Sequence, residues 1–579
     1  MAKAVILHTI EDVKHCLEHE LHKDAKLFST NVNVVYYLKF HYKIECQSLE
    51  VYLTPQENYE IQNAALKLIN SLLEQLDQYL SAELNQHSGF TIRYFEPLYT
   101  FPAARQLSVY MLLAHCFNRM LEHYEFGTVM VYDWRFELGE GLMETFLSKL
   151  FPKTEFLSIR YGSSVKNENT IIRNIEIQAI SELLSYYDDS EFRSKVVKQR
   201  SLDNKSILVY EPFERLSFLV QEYHHSVCLY NNLLSISHTV DYELEADVLP
   251  AETDLTIFKS LQDETKILLS AIYNDIGIDF CRNIFRYLQI VCSYKRLHEE
   301  VPIRHAFWEI PPTYGAGALL VEYLLTNQVT RVIGVQAKSA FLGGQVLDTR
   351  ISVYALNRCH SYFTQGLSSL HLQALYPCEA INTDIIPLSG KSTLSSGNQE
   401  NRETVELAIY LKHTSSILLT GLLPAHIKNQ ESILNLLGRI LNQRIHVVTG
   451  FSPTFENCAM ISVLKQMNNI MLVQDAGLDN YLTKYNPKVI LMDAPTHFLE
   501  DMLPEDTVII IMKDPMTILN STVLEKLSKR AYYAENINKV EEILHKHFEK
   551  KLENRRDSAY MLEFSRRVDF REEILHYID

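Results

Sequence analysis

The chain has 579 residues, too many for one hydrophobic core, and two or three domains are expected. Its 47% hydrophobic and 22% charged residues are those of an ordinary globular chain, and 18 Gly and 17 Pro leave little room for disordered linkers. Against 55 basic residues stand 72 acidic ones, a net charge of −17 that disfavours non-specific binding to nucleic acid or anionic membrane.

The cysteines are scattered without a C-x-x-C pair, the pattern of reduced thiols in a cytoplasmic protein. The opening MAKAVILHTIEDV reads as neither a signal peptide nor a membrane anchor. No apolar run approaches the roughly 20 residues that span a bilayer. A cytoplasmic protein with at most peripheral membrane contact is expected.

Short apolar runs alternate with longer helical patterns along the chain, which predicts parallel α/β domains with a helix-rich N-terminal half. AVILHT (4–9) reads as a strand and the residues after it as a helix; VNVVYYLKF fits a strand or a buried helix. Amphipathic helices follow over 57–84 and 106–124. TVMVYDW (128–134) and EFLSIR (155–160) are strands around the helix GEGLMETFLSKLF. A helical pattern over 167–200 leads to the strand SILVYEP (206–212), and 213–300 is mostly helical. TRVIGVQ (330–336) and HSYFTQG (360–366) are further strands. LSGKSTLSSGNQENRE (388–403) is the most linker-like segment. A second αβ series then begins with SSILLTG (415–421) and continues through RIHVVTG, NIMLVQD, KVILMD and TVIIIMKD. The expected division is an α/β domain over 1–390 with a helical insertion near 213–300, a linker at 391–404, and an α/β domain over 405–579.

The stretch VILMDAPTHFLEDM (489–502) carries the clearest chemistry. A buried strand ends at Asp493, and Pro495 is suited to the first turn of a following helix. Thr496 and Glu500 lie four apart, on one helical face. Backbone N–H groups and a hydroxyl at a helix N-terminus can hold a phosphate, and a carboxylate one turn further on can accept from sugar hydroxyls. That combination suits a nucleotide-sugar donor.

Asp133 ends another predicted strand, with Glu137 and Glu140 in the loop beyond it. Acids at the carboxyl ends of parallel strands face the ligand crevice, and one there can act as general base on an acceptor hydroxyl. The alternative is that these acids complement a helix dipole. Gln336 and Lys338 lie in a small-residue loop after a strand, and Gly421, His426 and Lys428 open the second domain. GKST (390–393) is not a P-loop, because Ile385 stands where the motif needs glycine. No histidine pair has the spacing that places two metal ligands on one helix face.

Two αβ halves, an intervening linker and the strand–D-x-P-T-x3-E–helix element resemble the GT-B glycosyltransferases. Within them the likeness is to bacterial surface-carbohydrate transferases, the group containing capsule polysaccharide transferases and teichoic-acid glycerophosphotransferases. It rests on VQAKSAFLGG with RISVYALNRCHSYFTQG, on ILLTG, and on DAPTHFLEDML, and is strongest over about 300–540. The resemblance implies two Rossmann-like domains facing a cleft and a metal-independent transferase with no cofactor. A nucleotide-sugar donor would meet Gln336, Lys338, Gly421, His426, Thr449, Asp493, Thr496 and Glu500. A glycan or polypeptide acceptor would enter from the N-terminal side, its proton taken by Asp133 or, in its place, Glu137. Ala337 stands where the group has histidine, and VVTGFSPTFE (447–456) replaces its Arg…His-Pro segment. Those departures keep open a scaffold that binds without catalysing; a glycerophosphotransferase and a nucleotide-sugar epimerase are further alternatives on the same fold. The oligomeric state is left open.

Overall fold

In a computed structural model of the chain, the residues described are 2–88, 92–132, 142–160, 173–175, 207–210, 216, 218–219, 226–229, 242–244, 249–300, 303–308, 315–326, 330–335, 344–345, 356–365, 382–388, 391–392, 402–411, 423–439, 445–449, 464, 467, 470–473, 478–493, 503, 506–514, 517–518, 521–553, 555–557, 568–569 and 571–578. Their three larger sheets are parallel and covered by helices, the mixed α/β class that the alternation of strand and helix patterns predicts, and a further parallel pair joins Arg173–Ile175 to Tyr242–Leu244.

The first sheet contains β1 (Ala2–Leu7), β2 (Ala25–Ser29), β3 (Gln47–Ser48), β4 (Phe126–Tyr132) and β5 (Glu155–Ile159), in the order β3-β2-β1-β4-β5. Helices α1 (Ile10–Glu18) and α2 (Val32–Tyr37) cover one face, where Val5, Leu7, Val13 and Val34 are buried together. The opposite face, with Ala4, Ile6 and Phe28, lies under α3 (Pro55–Leu76), α4 (Phe95–His123) and α5 (Leu142–Leu150). Successive residues of β1 thus enter opposite cores, which is why it reads as an unbroken apolar run. VNVVYYLKF resolves as helix α2 followed by a π-turn over Leu38–Tyr42, with Asn31 capping the start through its side chain. Asp77 caps α4, accepting from the backbone N–H groups of Tyr94, Phe95 and Glu96 at 2.7, 2.9 and 2.9 Å.

The middle sheet contains β6 (Ile207–Tyr210), β7 (Ser226–Leu229), β8 (His305–Trp308), β9 (Arg331–Val335), β10 (Ser361–Gln365) and β11 (Asp384–Leu388). Its order is β11-β10-β9-β8-β6-β7. Residues 1–390, expected as one α/β domain, therefore carry two sheets. These share a continuous core through α3, α4, α6 (Asp263–Glu300) and α7 (Gly315–Thr326), in which Ile6, Leu113, Phe280, Leu319 and Trp308 all take part. Strand β7 falls inside the stretch expected to be a helical insertion, whose long helix is α6. Gly334 on β9 meets a close neighbour: a Cβ there would lie 2.3 Å from Tyr362 Cδ2.

The C-terminal sheet contains β12 (Glu403–Leu411), β13 (Ile445–Thr449), β14 (Ile470–Val473), β15 (Tyr485–Met492), β16 (Val508–Met512) and β17 (Tyr532–Ala534). Its order, β14-β13-β12-β15-β16-β17, is the 3-2-1-4-5-6 arrangement of doubly wound nucleotide-binding sheets. Helices α8 (Leu423–Arg439) and α11 (Ile537–Phe548) pack on Leu407, Ile409, Leu491 and Ile510. The other face, with Ala408, Ile490 and Ile511, lies under α9 (Leu478–Lys484) and α10 (Ser521–Ser528). The central strand β12 begins inside the segment expected to be linker. SSILLTG, expected to open this domain, lies outside the described residues.

Helix α12 (Arg571–Ile578) leaves the C-terminal sheet and packs on the middle one. Ile574 and Ile578 are buried against Val209, Phe307 and Phe363, and Arg331 donates to the Tyr577 hydroxyl at 2.9 Å. Two short antiparallel ladders, Gly344–Gln345 with Thr517–Ile518 and Lys391–Ser392 with Val568–Asp569, also join the two parts of the chain. No helix among the described residues is long and apolar enough to cross a membrane.

Candidate functional site

In the C-terminal sheet the strand order reverses between β12 and β15. The crevice outside the carboxyl ends at such a point is where open α/β sheets bind ligands. Asp493 follows β15 directly, and its N–H lies 3.3 Å from the Tyr410 carbonyl of β12. Asp514 follows β16 by one residue. Helix α8 starts over these strand ends and is stitched to them by three side chains. His426 Nδ1 lies 2.9 Å from Asp514 Oδ1. Asn429 Nδ2 donates to the Lys513 carbonyl at 3.0 Å. Gln430 Nε2 donates to Asp493 Oδ2 at 2.8 Å.

His426 and Gln430 are four residues apart and so share the helix face turned to the sheet. The imidazole sits between two carboxylates, with Nε2 at 3.7 Å from Asp493 Oδ2 and Nδ1 on Asp514. His426 and Asp493 are 0% exposed and Asp514 is 2% exposed. Charges so deeply removed from water persist only when paired and hydrogen-bonded, and here each acid has a donor. The cluster therefore fixes the relative height of β15, β16 and α8, and with it the start of the loop after Asp493. Outside it, Lys428 and Lys513 are exposed near the same edge.

Of the residues expected to meet a donor, Asp493 and His426 are brought together here. Contact between His426 and a diphosphate stays a proposal, since the ring is buried against the two aspartates. Thr449 ends β13, its backbone level with Leu411 of β12 on the same carboxyl edge. Gln336, Lys338, Gly421, Thr496 and Glu500 lie outside the described residues, as do Asp133 and Glu137. Sequence reasoning passed over Asp514 and Gln430. Asp514 had the same signature as Asp493, an acid at the carboxyl end of a wholly apolar strand, and Gln430 stood one helical turn from His426. Among the described residues no group of His, Cys, Asp and Glu is arranged to hold a metal ion.

No protein-family model matches the sequence, and no curated protein matches it. Several solved structures are similar at low identity. UDP-GlcNAc 2-epimerase from Methanocaldococcus jannaschii is 13% identical, with a TM-score of 0.34 over 64% of this chain and 99% of that one. TarM of S. aureus, in complex with fondaparinux, α-GlcNAc-glycerol and UDP, is 12% identical with a TM-score of 0.31. That match covers 51% of this chain and spans 56% of the length of TarM. A UDP-forming α,α-trehalose-phosphate synthase from Burkholderia xenovorans is 11% identical, covering 57% of this chain and 80% of that one at a TM-score of 0.33.

Proposed function

We propose that the chain is a GT-B-type transferase that moves a sugar from a nucleotide-sugar donor to a glycan or polypeptide acceptor. One observation carries the reading. At the reversal point of a 3-2-1-4-5-6 sheet, Asp493 is held rigidly at a strand end, and the sequence that follows it is APTHFLE. The donor would lie over this edge. Its diphosphate would meet backbone N–H groups near Gly421 and Thr496 and the cations Lys428, Lys513 and Lys338, while Glu500 would accept from sugar or ribose hydroxyls. Asp133 or Glu137 would deprotonate the acceptor. The transferase would act without metal or cofactor, in the cytoplasm and in surface-polysaccharide assembly.

A second reading, a binding scaffold without catalysis, is favoured by two features. His426, Asp493 and Asp514 are buried and hydrogen-bonded within the protein, and Ala337 replaces the histidine of the resembled group. Thermal-shift titration with UDP, CDP, GDP and CMP tests both readings. A transferase or scaffold for nucleotides is stabilised by at least one of them, and absence of any shift rejects donor binding. Turnover of the matching nucleotide sugar, with and without acceptor, then separates transferase, epimerase and scaffold. Loss of the shift in Glu500→Ala is expected, and an undiminished shift in that variant overturns the assignment of Glu500.

A further inference from the structure

We propose that α12 is an acid-released clasp: gain of a proton by His305, and by His360 on the same sheet edge, frees this helix from the middle sheet and removes one hold on the C-terminal unit. The proposal stands whether or not the chain is a transferase.

His305 is the first residue of β8 and His360 immediately precedes β10, with Arg331 at the start of β9 between them. The carboxyl end of α12 lies over this amino edge. The Tyr577 ring meets Phe363 edge-on, with centroids 5.0 Å apart, and its centroid is 5.8 Å from that of His305. Its hydroxyl accepts from Arg331 at 2.9 Å and lies 3.5 Å from Ser361 Oγ. Arg304 donates to the Ile578 carbonyl at 3.4 Å, which meets the negative end of the helix dipole. Two guanidinium groups therefore hold α12 down. Both flank His305, Arg304 in the chain and Arg331 as its register partner on β9.

That arrangement requires neutral imidazoles. His305 is 5% exposed, and its Nδ1 is buried without a hydrogen-bond partner among the described residues. A further proton would bury an unpaired N–H and a positive charge against the two cations that hold the helix. His360 accepts from the Val332 N–H through Nδ1 at 3.0 Å, a bond that an imidazolium cannot keep. Burial first, and then Arg304 and Arg331, lower the His305 ring from 6.5 to about 4; burial and then Arg331 lower that of His360. On the flanking strands, Ile207 pairs with His305 from β6 and is apolar, and Asp384 starts β11 beyond His360. Helix α12 carries Arg571, Glu572 and Glu573 at its far end and an exposed His576 in its last turn.

Helix α12 is suited to let go first. Its eight residues are too few for a helix that is stable alone, so it keeps its form only while Ile574 and Ile578 stay buried. The C-terminal unit is attached differently at α2, whose Val32 is 2% exposed within the C-terminal core. There the Tyr36 hydroxyl and Lys39 Nζ donate to Glu431 of α8 at 3.0 and 2.9 Å. No histidine takes part in those contacts, so mild acid loosens the clasp and leaves the α2 bridge in place.

The test is amide hydrogen exchange of the full chain at about pH 7.5 and about pH 5, either side of the ordinary histidine range, read as protection relative to the unstructured rate at each pH. A ring that titrates at about 4 under the clasp and at 6.5 once released predicts a fall of about thirtyfold in protection over Arg571–Ile578. Protection over α11, in the C-terminal core, should change by less than about threefold. In His305→Gln the fall over α12 should be at least about fivefold smaller, the remainder belonging to His360. No fall in the parent, or an undiminished fall in His305→Gln, overturns the proposal. Equal loss over α12 and α11 in the parent is global unfolding and overturns it as well. That last comparison needs no variant, so it decides the matter even if His305→Gln fails to fold.

Discussion

The carboxyl edges of the first and C-terminal sheets solve one topological problem in opposite ways. Both sheets reverse strand order at their centre, and both place histidine and aspartate at the reversal. In the C-terminal sheet these groups turn inward, with His426 between Asp493 and Asp514 and all three sealed beneath α8. In the first sheet they are layered, with buried Asp12, Thr30 and Tyr132 supporting half-exposed His8 and His15. The difference teaches that a reversal point can be either a rigid footing for a loop or a surface in its own right. The partner chosen by each histidine decides which.

The largest expected effect comes from opening the sealed edge. Asp514→Ala leaves His426 against one acid and is expected to cost about 3–5 kcal/mol, as when one partner of a buried pair is removed. Denaturant unfolding measures it, and His15→Phe at the layered edge, which takes the imidazole from the buried Tyr132 hydroxyl, should cost about 1–3 kcal/mol. Equal losses would abolish the contrast.

The middle sheet supplies a control for histidine. Burial first, and then the neighbouring charges of Arg304 and Arg331, push the His305 imidazole down from 6.5 to about 4. The folded state thus prefers the neutral ring: its contribution is complete above pH 6.5 and is lost as pH falls from there through about 4. His305→Gln should remove that part of the acid destabilisation seen in melting temperatures. If the whole loss persists, its source lies in other titrating groups.

Asp12→Ala breaks the capping box that Asp12 forms with the N-cap Thr9 of α1 and should cost about 1 kcal/mol. Inorganic phosphate is then expected to stabilise the variant and leave the parent unchanged; equal response in both would show that Asp12 does not guard the edge. The smallest effect belongs to the bridge between the two regions. Glu431→Gln should change stability by under about 1 kcal/mol, because Lys39 is more than half exposed and its ion pair is screened. Burial and the Glu431 carboxylate raise the Tyr36 phenol above its usual range, so the hydroxyl stays protonated and keeps its hydrogen bond in Glu431→Gln.

Strands buried on both faces were legible in the sequence. VILM before Asp493 and VIIIM before Lys513 are continuous apolar runs because successive residues enter opposite cores. ETVELAIYL was obscured by its two glutamates and by the polar segment before it, although its later residues fill both cores. AKLFS was too short to stand out. At the site, Asp493 and His426 were visible as single residues, but their arrangement was not. The contact between His426 and Asp514 spans 88 residues of chain and depends on the order in which strands assemble. Local periodicity carries no information about that order.

The return of α12 to the middle sheet has a mechanical consequence. The C-terminal unit is tethered to the rest of the chain at two places, before β12 and again before α12, and each tether is reinforced where Lys391–Ser392 pairs with Val568–Asp569. A body held by one strand can swing in any direction, but one held by two neighbouring strands turns easily only about the line that joins them. Any opening between the units would also have to part Gly344–Gln345 from Thr517–Ile518 and draw Val32 from the C-terminal core, and twisting or sliding would have to peel Ile574 and Ile578 from their sheet.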